Sequence, residues 1–84
     1  MKILYTKAAE KQIRQLEKFL LKRIYTKIGL LSSNPYPQDS QKLEENLGYR
    51  IRVGGYRIVY QLNKKAKTIL IVKIAHRREV YRKR

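Results

Sequence analysis

Residues 49–60 read Tyr49-Arg50-Ile51-Arg52-Val53-Gly54-Gly55-Tyr56-Arg57-Ile58-Val59-Tyr60. Side chains of a β-strand alternate between its two faces, so Tyr49, Ile51 and Val53 share one face and Arg50 and Arg52 the other. Gly54-Gly55 has the composition of a two-residue hairpin turn. Beyond it Tyr56, Ile58, Tyr60 and Leu62 continue the apolar face, while Arg57, Val59 and Gln61 continue the polar one. Closing the hairpin over two residues sets Arg52 close to opposite Arg57, with Arg50 two residues away on the same face. Like charges facing each other across strands are destabilising, which favours an anion between the three guanidinium groups. A plainly solvated outer face, its repulsion tolerated by salt, is the competing reading.

Working outward, Lys64 to Lys67 forms the next turn, and Thr68 to Ala75 is apolar at almost every position. Such a strand is flanked on both sides and covered on at least one face. On the N-terminal side, Ser32 to Ser40 is rich in Ser, Asn and Pro and separates the hairpin from a helical region. In that region Ala9, Ile13, Leu16 and Leu20 recur at helical spacing, as do Leu21, Ile24, Ile28 and Leu31. The shift of stripe between Leu20 and Leu21 predicts two antiparallel helices broken near Glu17 to Phe19. Met1 to Tyr5 reads as a strand, and the Thr6 hydroxyl caps a helix beginning near Lys7. The expected architecture is α+β: an N-terminal strand, a two-helix hairpin, then a three-stranded antiparallel meander. The helices lie on one face of a four-stranded antiparallel sheet.

The 84 residues fit one domain, 1–84. Twenty-one Lys and Arg against six Asp and Glu give a formal net charge of +15, which calls for a polyanionic partner. At 43% hydrophobic residues, with seven Tyr, the composition is that of a folded domain rather than a disordered basic tail. The absence of Cys removes disulfides, thiol catalysis and Cys-ligated zinc, and a single His builds no metal cluster. No apolar run approaches the roughly 18 residues of a membrane span, and the N-terminus lacks a signal-peptide pattern. A cytoplasmic protein with no cofactor is expected.

The charge is chemically uneven. Seven of the nine Arg follow Gly48: Arg50, Arg52, Arg57, Arg77, Arg78, Arg82 and Arg84. The helices carry mostly Lys, including Lys18 and Lys22. Arg binds phosphate oxygens through a planar fork and stays charged when partly buried, so clustered strand Arg favours phosphate recognition. Cleavage of RNA by its own 2′-OH needs a base, stabilisation of the crowded phosphate and help for the leaving oxygen. A two-His mechanism is impossible with His76 alone, and the six carboxylates form no spaced cluster for two metals. Arg-rich charge stabilisation with Tyr81 or His76 as titrating group remains. Tyr is a poor base unless nearby cations lower its pKa, and Arg77, Arg78 and Arg82 are the cations at hand.

The run from Tyr49 to Tyr60, with the later His76-Arg77-Arg78-Glu79-Val80-Tyr81, resembles the RelE branch of the RelE/ParE toxin superfamily. Thr6-Lys7-Ala8-Ala9, the Asn34-Pro35 loop, and Lys42-Leu43 leading to Leu47-Gly48 also resemble that family's layout. The resemblance implies a small toxin that enters the ribosomal A site and cleaves mRNA there, held inactive by an antitoxin. It implies catalytic roles for Arg50 and Arg52 as the basic pair, Arg57 as phosphate stabiliser, Arg77 as second active-site Arg, and Tyr81. His76 is a lesser candidate. Where well-described members have Lys, this chain has Arg50 and Arg52, which bind anions but do not exchange protons. Proton transfer then falls to Tyr81, His76 or rRNA. Lys18, Lys22, Arg78 and Arg82 are expected to hold RNA. A ParE-like toxin acting on DNA gyrase and a non-catalytic basic module binding RNA or antitoxin are the alternatives.

Overall fold

The computed structural model describes residues 1–44 and 47–76. Its elements are β1 (Lys2–Tyr5), α1 (Lys7–Arg14), α2 (Lys18–Leu31), β2 (Gln41–Lys42), β3 (Tyr49–Val53), β4 (Tyr56–Asn63) and β5 (Thr68–His76). The strands form one sheet in the order β1-β5-β4-β3-β2. Both helices lie on one face, α1 against β5 and α2 against β3. The α+β class and the helix hairpin are therefore as expected.

Two features of the sheet differ from expectation. A two-residue strand, β2, joins the edge of β3, and β1 runs parallel to β5, making a mixed five-stranded sheet. The direction of β1 follows from the helical crossover that separates it from its partner, and strand composition carries no record of it. The helix break comes at residues 15–17, slightly before the expected Glu17 to Phe19. Leu16 packs against the core within the break, whereas Phe19 is helical and 65% exposed.

The core is built from the predicted stripes: Ala9 and Ile13 of α1, Ile24, Ile28 and Leu31 of α2, and the inward residues of the three long strands. Thr6 caps α1 as expected, its Oγ1 accepting from the Ala9 N–H at 3.1 Å. The same hydroxyl donates to the Val72 carbonyl at 2.6 Å. This second bond sits at an irregularity in β5. Val59 pairs with Lys73 but Tyr60 with Ile71, so Val72 is an extra residue in the ladder, a β-bulge. The bulge reconciles Ile69 and Ile71 with Ile74, all of which are buried although the last spacing is three. Gln12 Oε1 accepts from the Ile74 N–H at 2.7 Å, so side chains at both ends of α1 hold the irregular backbone.

The hairpin closes as the sequence predicts. Val53 pairs with Tyr56 across Gly54-Gly55, and Gly54 has φ 58°, a conformation that glycine adopts without a Cβ penalty. Gly48, at φ 105°, passes so close to β4 that a Cβ there would overlap the Tyr60 carbonyl oxygen. Among the described residues, no helix is long and apolar enough to cross a membrane.

Candidate nucleic-acid interface

The hairpin register places Arg52 directly opposite Arg57, and Arg50 opposite Val59, on the face of the sheet away from the helices. Arg57 also pairs with Ala75 of β5, a small residue that leaves space beside its stem. Arg50, Arg52 and Arg57 therefore converge. Burial first, and then the charges of Arg52 and Arg57, hold the Arg50 guanidinium below its ordinary value, while Asp39 pulls it back up. Arg50 donates to Gln41 Oε1 across the edge of the sheet. Among the described residues the one ion pair is Lys27–Asp39, at 2.7 Å, so no carboxylate there salt-bridges the three Arg. A row of planar forks on a half-exposed strand face, salt-bridged by no described carboxylate, is suited to phosphate oxygens.

Around the rim of the hairpin, Arg52 and Gly54 line a groove with Phe19, Lys22, Arg23 and Lys27 of α2. Lys22 thus joins the basic surface, and Lys18, one helical turn earlier, is exposed at the start of the same helix. Arg23 was not singled out from the sequence, yet its Nη1 lies 3.9 Å from where a Cβ on Gly54 would stand. Helical periodicity, which puts position 23 one turn from Phe19 and Thr26, was the signal available for it.

His76 lies on the opposite face. It pairs with Tyr56 and packs edge-on against that ring, centroids 4.9 Å apart. A Cβ on Gly55 would come within 3.3 Å of His76 Nε2, so the imidazole sits under the hairpin turn on the helix side. The structure does not bring it among the three Arg. Arg77, Arg78, Tyr81 and Arg82 lie outside the described residues.

The interior behind this face is aromatic. Tyr60, fully buried, stacks on Tyr49 at 5.8 Å, and Tyr49 meets Tyr36 edge-on at 5.3 Å. The Tyr60 hydroxyl donates to the Pro35 carbonyl at 2.8 Å, and burial pushes its pKa up to about 12.

The family described as "ParE toxin of type II toxin-antitoxin system, parDE" matches residues 3–81. The chain belongs to the ParE toxin family. It is accordingly a toxin of a type II toxin–antitoxin system, in the RelE/ParE superfamily. The archaeal RelE of a RelE–RelB complex from Pyrococcus horikoshii OT3 is similar at 32% identity, over 90% of this chain and 93% of that one, with a TM-score of 0.80. A RelB–RelE antitoxin–toxin complex from Methanococcus jannaschii is similar at 28% identity, covering 94% and 95% of the two chains, with a TM-score of 0.75. The isolated E. coli RelE toxin, at 23% identity, 96% and 90% coverage and a TM-score of 0.80, shares the fold. No curated protein matches the chain significantly. The toxin therefore has the RelE-like fold expected from its hairpin.

Proposed function

We propose that this toxin is a ribosome-dependent endoribonuclease that cleaves mRNA in the ribosomal A site and so stops translation. The observation that carries the reading is the convergence of Arg50, Arg52 and Arg57 on one sheet face. Cleavage by the neighbouring 2′-OH passes through a phosphate with five oxygens around phosphorus and an added negative charge. Forked N–H donors fixed on paired strands stabilise that charge without reorganising at the moment of reaction. Arg52 and Arg57, opposite each other, grip the phosphate, and Arg50 extends the contact along the strand.

None of the three Arg exchanges a proton at neutral pH. With His76 turned to the helix face, Tyr81 is the chain's candidate for proton transfer, beside groups of the rRNA, and Arg77 its neighbouring cation. Lys18, Lys22, Arg78 and Arg82 hold rRNA through charge. The +15 charge speeds docking on a polyanionic ribosome. Between rounds an acidic antitoxin in the same cytoplasm neutralises the Arg face; the related RelE chains were solved as complexes with RelB.

The family description also favours a second reading, a ParE-like toxin that inhibits DNA gyrase by protein contact. A basic module that binds RNA or antitoxin without catalysis is the third. Primer extension on mRNA carried by ribosomes with a filled P site and an empty A site separates them. The nuclease reading expects cleavage on the ribosome and none on free mRNA, lost in Arg57→Ala. Growth inhibition without cleavage in either tube favours gyrase, and no inhibition at all favours the binding module.

A further inference from the structure

At the far end of the same hairpin, where β3 begins, Tyr36, Lys42, Tyr49, Gln61 and Lys64 line an open cleft of about 410 Å³. Tyr36 forms its outer wall and is 43% exposed. An exposed aromatic residue on a loop is ordinarily free to move, but here the backbone is held at two points and the ring meets a third contact. The Asn34 side-chain oxygen accepts from the Tyr36 backbone N–H at 3.2 Å, the buried Tyr60 hydroxyl holds the preceding carbonyl, and Tyr49 meets the ring edge-on. The ladder Tyr60–Tyr49–Tyr36 thus runs from the core to the surface and presents its last member with little ordering cost left.

One cation stands over that ring and a second lines the same cleft. Lys64 Nζ stands 5.7 Å from its centroid, and Lys42 lies on β2 opposite Tyr49. Lys42 follows Gln41, the partner of Arg50, along the short edge strand, and therefore projects from the opposite face of the sheet edge. A second tyrosine cleft among the described residues, beside Tyr25, is different: Glu10 lines it together with Arg14, and its carboxylate opposes a phosphate chain. An aromatic platform with two ammonium groups in one cleft, round the sheet edge from a row of Arg, has the chemistry of a stacking site for a single strand that passes over that edge.

We infer that the cleft between Tyr36, Lys42 and Lys64 is a subsite for one unpaired base of single-stranded RNA and its flanking phosphates. The inference rests on the reading of the Arg face as an RNA site and extends it round the edge of the sheet, away from the reacting phosphate. The base stacks on Tyr36. Lys64, on its flexible four-carbon stem, moves from the ring to a phosphate, and Lys42, at the sheet edge, takes the other flanking phosphate.

The test is fluorescence anisotropy of labelled hexauridylate against an abasic ribose-phosphate hexamer of equal charge, over a salt series. Wild type is expected to prefer hexauridylate by roughly tenfold, toward the lower end of what one base–aromatic stack contributes. Tyr36→Leu, which keeps an apolar contact with Tyr49, should remove the preference, and Tyr36→Phe should keep it. Lys42→Gln with Lys64→Gln should lower the log–log salt slope for both hexamers by about 1.4. Circular dichroism confirms that each variant is folded. Equal binding of the two hexamers by wild type, or a preference that survives Tyr36→Leu, overturns the inference. Either result leaves the nuclease reading standing, since that is decided on programmed ribosomes. A preference that Tyr36→Leu removes supports the subsite even if those ribosomes show no cleavage, which would sink the nuclease alone.

Discussion

Replacing Arg57 by Gln should stabilise the fold while disabling it. Arg57 faces Arg52 directly and Arg50 diagonally, and among the described residues no carboxylate pairs with them. Opposed Cβ atoms on paired strands are about 5 Å apart and diagonal ones about 7.5 Å. In water these spacings correspond to repulsions of about 0.8 and 0.55 kcal/mol, together about 1.4 kcal/mol. Screening at physiological ionic strength, with a Debye length of about 8 Å, reduces the sum to about 0.7 kcal/mol. These figures take the Cβ spacing as the charge spacing and the dielectric of bulk water. For a domain of this size the gain corresponds to a Tm higher by about 3–5 °C. Gln keeps much of the stem that packs beside Ala75, so the comparison isolates charge. Differential scanning fluorimetry from low to high salt should show the gain largest at low salt and shrinking as salt is added. A variant that is less stable than wild type, or whose difference ignores salt, would refute the repulsion on which the phosphate argument stands. The same variant should lose cleavage on programmed ribosomes.

Neutralising Lys18 and Lys22 to Gln should weaken ribosome binding and lower its log–log salt slope by about 1.4–1.8, read by co-sedimentation; equal affinity at physiological salt counts against their role. Gly48→Ala adds a Cβ against the Tyr60 carbonyl at a left-handed φ, and should cost at least about 2 kcal/mol in a urea melt. Tyr60 has its folded pKa raised to about 12 from the ordinary 10.0, so the neutral form is the stable one. Its contribution is complete below pH 10 and lost as pH rises through 12. Tyr60→Phe should therefore flatten the alkaline limb of the stability profile, at a cost near neutrality of about 1 kcal/mol for the bond to Pro35.

The Arg face was legible because everything that builds it is local. Alternation and a two-residue loop determine which side chains oppose which, and Gly54-Gly55 supplies the loop. The apolar stripes of the helices were legible for the same reason. The direction of β1 was not, since it depends on a crossover two helices long. Nor was the face of His76: counted in twos along a regular strand from Ile71, position 76 falls on the Arg side, and the extra residue at Val72 reverses that. The Tyr36 cradle was equally hidden, because the bond that holds it joins Tyr60 to a loop 25 residues earlier. Arg77 and Tyr81 stand as the family resemblance left them, and Arg78 and Arg82 as the charge pattern did.

The extra residue in β5 has a further effect on how the strand tolerates change in length. In a regular strand, losing one residue turns every later side chain over. Here the bulge holds a residue in reserve, so a chain shortened by Val72 would run on as a plain ladder with Ile74 still inward and Ala75 still beside Arg57. What it would forfeit is the carbonyl that the Thr6 hydroxyl grips at the start of α1. Length and phase are thus uncoupled at one point in the sheet, on the strand that neighbours Arg57. An insertion or deletion scan through positions 69–75 should find its single tolerant position there.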